Sequence, residues 1–195
     1  KSLDMGYTWF PVFDDQANLS IGDIAVDPNN TDIIYVGTGE SNGGHNNFPG
    51  GGIYKSTDAG ETWQLLGLEN TVSIGRVVVD PQNSNRVFVA AQGSYFTPNQ
   101  ERGVYRSEDG GKTFTTILPY YGVHPDHHAL WIHPDNPNLL IQGSCNGLYV
   151  LVNLGNRWVL RNKIKGFDPA DQSMFSLLMF NRNVYYFQYY LLFAK

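Results

Sequence analysis

A chain of 195 residues fits one domain or part of one, and an apolar fraction of 42% is enough for a real core. The net charge of −5, with no run of Lys or Arg, excludes a basic groove for nucleic acid. A single cysteine, Cys145, excludes an internal disulfide and a cysteine-based zinc site.

The chain opens on Ser2-Leu3-Asp4-Met5-Gly6-Tyr7-Thr8-Trp9, which runs into a predicted strand over 8–13 and a polar loop over 14–20. Alternating apolar residues predict strands at 21–26 and 33–37, with Asp27-Pro28-Asn29-Asn30 turning between them. A glycine-rich loop follows over 38–51. A third strand at 52–56 enters Ser56-Thr57-Asp58-Ala59-Gly60-Glu61-Thr62-Trp63, and a fourth covers 63–66. The same order recurs over 74–79, Asp80-Pro81, 86–91, 103–107 and then Ser107-Glu108-Asp109-Gly110-Gly111-Lys112-Thr113-Phe114. It recurs again from 128 through His133-Pro134 to a worn copy that ends at Trp158, keeping Gly155 but with Asn153 in place of Asp. The turn prolines Pro28, Pro81 and Pro134 are 53 residues apart. No helical periodicity is visible before residue 160.

The recurring motif, S-x-D-x-G-x-T-W, is a hairpin device. Asp4, Asp58 and Asp109 have carboxylates short enough to accept backbone N–H groups within the turn, and the hydroxyls of Ser2, Ser56, Ser107, Thr8, Thr62 and Thr113 add to this. Gly6, Gly60 and Gly111 supply positive φ. Trp9, Trp63 and Phe114 start the next strand and are placed to pack between repeats. Turn chemistry accounts for every fixed position, which argues against catalytic roles for these aspartates.

Four short antiparallel strands per repeat, at a period near 50, predict an all-β fold of β-propeller blades. The motif resembles the Asp-box, or bacterial neuraminidase repeat. The order D-P-x-N, Y-V-G and G-x-Y-x-S-x-D-x-G-x-T-W is similar to that of sortilin/VPS10-like and xyloglucanase-like propellers. The resemblance covers residues 1 to about 160. It implies a partial blade at 1–13 and blades at about 21–67, 74–118 and 127–160. Residues 161–195 lack both the Asp-box and the D-P turn and read as an atypical tail or truncated blade, with two strands joined at 181–183. Three to four blades fall at or below the usual range of four to eight, so a piece of a larger ring is expected.

In a propeller the loops before the first strand and after the second share one face, opposite the Asp-box turns. That face collects Asp23, Glu40, His45, Arg76, Gln92, His124, Asp126, His127 and His128. Asp23 and Arg76 occupy equivalent blade positions and can pair. The cluster His124-Pro125-Asp126-His127-His128 has groups that bind metals or hydrogen-bond a sugar, but no metal or cofactor requirement is expected. The xyloglucanase resemblance implies a catalytic aspartate just after a second strand, and Glu40 stands in roughly that place. The R-T-D-x-G-G pattern around such an aspartate is absent. Asp126 and Asp23 are the candidate partners. Arg76, Arg86, Arg102 and Arg106 offer no obvious triad for a sialidase.

Two functions from different classes follow. One is a non-catalytic module that binds a glycan or protein ligand on the loop-rich face, in a secreted, periplasmic or cell-surface protein. The other is a glycoside hydrolase of the xyloglucanase-like type, with Glu40 as one of two carboxylates. Fold alone does not separate them. Further blades of the same parent chain are expected partners. Neither a signal peptide nor a membrane span is read in the sequence.

Overall fold

The computed structural model describes residues 1–41, 47–94, 97, 100–119, 127–144, 147–155, 157–164, 175–180 and 183–188. Three four-stranded antiparallel meanders make up most of it. Blade 1 contains β1 (Ile21–Asp27), β2 (Asn30–Thr38), β3 (Ile53–Ser56) and β4 (Gln64–Gly67). Blade 2 contains β5 (Ile74–Asp80), β6 (Asn83–Ala91), β7 (Gly103–Ser107) and β8 (Thr115–Pro119). Blade 3 contains β9 (His127–His133), β10 (Asn136–Ser144), β11 (Gly147–Asn153) and β12 (Trp158–Ile164). A final hairpin joins β13 (Phe175–Phe180) to β14 (Asn183–Gln188). The one helical element among the described residues is a 3-10 turn at Glu69–Thr71.

Strand alternation puts one side of each sheet against the blade before it and the other side against the blade after it. Between blades 1 and 2, Tyr35 and Ile53 meet Ile74, Val77, Val79, Val87 and Val89. Between blades 2 and 3, Phe88, Ala90, Val104 and Leu118 meet Leu130, Ile132, Leu140, Tyr149 and Leu151. The core therefore lies between sheets, as stacked blades require. Polar contacts set the spacing of the blades. The Tyr35 hydroxyl donates to the Gly110 carbonyl at 3.1 Å. The side-chain amide of Asn29 donates to the Pro81 carbonyl at 3.0 Å, and that of Gln82 to the Pro134 carbonyl at 2.6 Å. These last two contacts repeat one position of the D-P turn from blade to blade.

Each Asp-box folds the same way. The Asp58 carboxylate accepts the Thr62 hydroxyl at 2.6 Å, the Thr62 N–H at 2.9 Å and the Ser56 hydroxyl at 2.7 Å. Ser56 Oγ in turn accepts the Gly60 N–H at 2.8 Å. Asp109 with Thr113 and Ser107 repeats this set, as does Asp4 with Thr8 and Ser2. Gly6, Gly60 and Gly111 take φ of +92°, +90° and +93°. The predicted strand over 8–13 is corrected to an arm without strand pairing. Its backbone hydrogen bonds close back on its own turn, Phe10 N–H to the Lys1 carbonyl at 2.8 Å.

The three donors hold the Asp58 pKa down at about 2, and the Asp109 pKa is lowered in the same way, chiefly by the Thr113 side chain. A folded pKa below the unfolded value gives stability that is present above the ordinary carboxylate range and lost as pH falls through the folded value. The melting temperature is therefore expected to fall between about pH 4 and about pH 2. A D58N/D109N variant should show a flatter profile over that window in a thermal melt series. An unchanged slope would show that these carboxylates do not carry the acid transition.

Candidate functional site

The loops before the first strands and after the second strands converge at one end of the blades. Gly39 N–H donates to the Ser20 carbonyl at 2.8 Å, Gly50 N–H to the Val72 carbonyl at 2.7 Å, and Gln92 N–H to the Ser73 carbonyl at 2.9 Å. The Ser73 hydroxyl crosses from blade 2 to the Glu40 carbonyl at 2.9 Å. Asp-box turns lie at the other end, against the turns between first and second strands. There Ala59 N–H meets the Asp32 carbonyl at 2.9 Å and Gly110 N–H meets the Asn85 carbonyl at 2.8 Å.

Glu40 closes its own loop. Its Oε2 accepts the Phe48 N–H at 3.3 Å, and its N–H donates to the Phe48 carbonyl at 3.0 Å. Beside it, Val72, Ser73, Gly93 and Ser94 help line a cleft of about 50 Å³, far smaller than a sugar site. On the other side of Phe48 lies a groove of about 480 Å³, lined by Ala17, Asn18, Leu19, Ser20, Phe48 and Pro49. Phe48 is 69% exposed and Leu19 is exposed with it.

Asp23 and Arg76 pair across blades, with Arg76 Nη1 at 3.2 Å from Asp23 Oδ1. Asp23 Oδ2 also accepts the Val77 N–H at 2.7 Å. Burial pushes the Asp23 pKa up, against the pull of the Val77 N–H and the Arg76 charge. Its stability contribution therefore has the opposite sign to that of Asp58: present below the ordinary carboxylate range and lost as pH rises. Gln92 follows the end of β6 and is buried. His45, His124 and Asp126 lie outside the described residues. His127 and His128 open β9, and only their backbone is described. Among the described residues, no group of three His, Cys, Asp or Glu side chains is placed to hold a metal ion. No helix among them is long and apolar enough to cross a membrane.

Sequence reading places the loops over 14–20 and 38–51 on this face but does not single out Phe48 or the residues of the 17–20 wall. The available signal was an aromatic residue in a loop of glycines and asparagines, where no core demands one.

The BNR/Asp-box repeat family matches residues 54–65. A xyloglucanase from a Paenibacillus species is 30% identical over 174 residues, covering 82% of this chain and 14% of that protein. A xyloglucanase from Acetivibrio thermocellus is 28% identical over 164 residues, covering 68% of this chain and 18% of that protein. Sortilin of Rattus norvegicus is 31% identical over 113 residues, covering 54% of this chain and 13% of that protein. The chain thus spans less than a fifth of the length of these relatives. Among solved structures, an ancestral GH74 enzyme superposes with a TM-score of 0.57 at 23% identity, covering 78% of this chain and 19% of that one. A GH74 xyloglucanase from Xanthomonas campestris superposes at 0.53 and 18% identity, covering 78% and 25%. These blades, their Asp-box turns and the matches together make the chain an Asp-box repeat protein of β-propeller fold, similar to xyloglucanases and to sortilin.

Proposed function

We propose that this chain is a glycan-binding propeller module whose ligand is a xyloglucan-type polysaccharide, held on the loop-rich face at the groove beside Phe48. The observation that carries the reading is an exposed aromatic ring forming one wall of a groove of ligand size. Sugar faces are partly apolar, and covering an exposed phenyl ring releases water from both partners. Asn18 and Ser20 line the facing wall; the Ser20 hydroxyl donates to the Phe48 carbonyl at 3.3 Å, which leaves its oxygen and the Asn18 amide to meet sugar hydroxyls. The xyloglucanase relatives supply the polysaccharide class.

A second reading, glycoside hydrolysis with Glu40 as one carboxylate, is favoured by the same relatives. It has no described partner for Glu40: Asp23 is tied to Val77 and Arg76, and Asp126 lies outside the described residues. The Glu40 carboxylate itself is engaged by the Phe48 N–H. Hydrolysis needs two carboxylates facing each other across a sugar, about 5–10 Å apart.

Titration of a xyloglucan oligosaccharide into the chain, with reducing ends assayed in parallel, separates the readings. Binding without release is expected. Phe48→Ala should weaken binding about ten-fold or more, since burying a phenyl ring contributes roughly 1.5–3 kcal/mol. Release that disappears in Glu40→Gln would replace this reading with the hydrolase.

A further inference from the structure

Phe48 combines a fixed backbone with an exposed side chain. Its N–H donates to Glu40 Oε2 at 3.3 Å, and its carbonyl accepts the Glu40 N–H at 3.0 Å and the Ser20 hydroxyl at 3.3 Å. Two supports hold the loop that carries it. The first is Thr38, the last residue of β2, which is buried. Its hydroxyl donates to the Gly52 carbonyl at 2.6 Å and accepts the Gly51 N–H at 2.8 Å, so one side chain ties the end of the loop to its start. The strand register puts Thr38 opposite Ile21 and, in blade 2, Ala91 opposite Ile74. Blade 2 thus has no hydroxyl at the equivalent place and still forms its second and third strands.

The second support is Val72, in the linker from blade 1 to blade 2. Its carbonyl accepts the Gly50 N–H at 2.7 Å. Val72 does this at φ of +63° and ψ of −46°, with the Ser73 N–H closing a three-residue turn on the Thr71 carbonyl at 2.6 Å. This is the strained form of the γ-turn, and a β-branched residue keeps positive φ only where its surroundings fix it. Outside the Asp-box turns, Leu68 and Val72 are the only described non-glycine residues with positive φ. Both lie in this linker. A clamp that blade 2 does without and a strained brace therefore meet on the loop of the one aromatic residue that lines the groove.

We infer that Thr38 is a positioning residue for glycan binding: acting through Gly51 and Gly52, with Val72 bracing Gly50 from the linker, it holds Phe48 in place at the groove before ligand arrives. The inference rests on the groove reading above. A contact held in place beforehand needs no ordering when the ligand binds, and the affinity rises by the cost avoided.

Isotherms for a xyloglucan oligosaccharide on the whole chain test this through a double-mutant cycle. Thr38→Val removes the hydroxyl and keeps the shape, whereas Thr38→Ser keeps the hydroxyl. Thr38→Val is expected to weaken binding about three- to ten-fold, the cost of ordering one loop contact on binding, and Thr38→Ser to retain the parent affinity. In a Phe48→Ala background, Thr38→Val should have no further effect. Tyr35→Phe loses a buried hydrogen bond at the Asp-box end of the same blade and should leave binding unchanged. If Thr38→Val folds poorly, Thr38→Ala replaces it in every arm, since β6 forms with alanine at the equivalent place. Weaker binding in Phe48→Ala but not in Thr38→Val would overturn the inference and keep the groove. So would equal weakening by Thr38→Val in both backgrounds, or a loss in Thr38→Ser or Tyr35→Phe as large as that in Thr38→Val. Unchanged binding in Phe48→Ala would remove the groove itself, and the inference with it.

Discussion

Replacing Phe88 with alanine is expected to destabilise the chain by about 3–5 kcal/mol, enough to unfold a marginal domain. Phe88 lies on β6 and is fully buried, at the centre of the junction between blades 2 and 3. Its ring meets the Trp158 ring edge-on at 5.8 Å and shares a cluster with Leu130, Leu140 and Tyr149. Residues of two sheets line the resulting cavity, and stacked sheets close such a gap only by moving as units, so relaxation is limited. Its equivalent in blade 1 is Tyr35, also fully buried, whose hydroxyl donates to the Gly110 carbonyl. Tyr35→Phe keeps the packing and loses one hydrogen bond, for a cost of about 1 kcal/mol. Urea denaturation of both variants checks the pair. A Phe88→Ala loss no greater than that of Tyr35→Phe would show that the blade junction is not where the stability resides.

The contrast between these two positions shows what the sequence made legible. The Asp-box spacing and the turn prolines specify four strands per repeat because each rests on local chemistry: a carboxylate within reach of its own turn, or a ring that presets φ. Their recurrence then implies stacking, since a single blade cannot bury both faces. The proline register alone places Asp23 and Arg76 at equivalent positions, and they meet in the structure. The site was less legible because its residues act through loops that no periodicity constrains. Glu40 reads as a free carboxylate until its bond to the Phe48 N–H is seen. Gln92 reads as a loop residue but lies inside. The strand expected over 8–13 is also absent: residues 9–13 are a continuous apolar run, but the chain closes on its own turn.

Gly39→Ala is the second substitution with a large expected effect, and it links the fold to the proposed site. Gly39 has φ of +94°, and an added Cβ would press on the Val72 carbonyl, Ser73 Cα and Gly50 N. All three are backbone atoms of the strap that holds the loop of Glu40 and Phe48 against blade 2. Gly155 provides a matched control, with φ of +89° and open space around the added carbon. Alanine at Gly155 therefore carries only conformational strain, about 1–2 kcal/mol. At Gly39 the same strain is joined by displacement of packed backbone, for a total of about 3–4 kcal/mol. The functional consequence should differ more sharply than the stability. Gly155→Ala lies near the worn Asp-box, away from the groove, and is expected to leave xyloglucan binding unchanged. Gly39→Ala moves Phe48 with its loop, so binding should drop about ten-fold or more even under conditions where the variant remains folded. Denaturation midpoints and binding isotherms measured on both variants at one temperature give the comparison. Equal stability losses would mean that the strap yields freely, and unchanged binding in Gly39→Ala would remove the groove beside Phe48 as the ligand site.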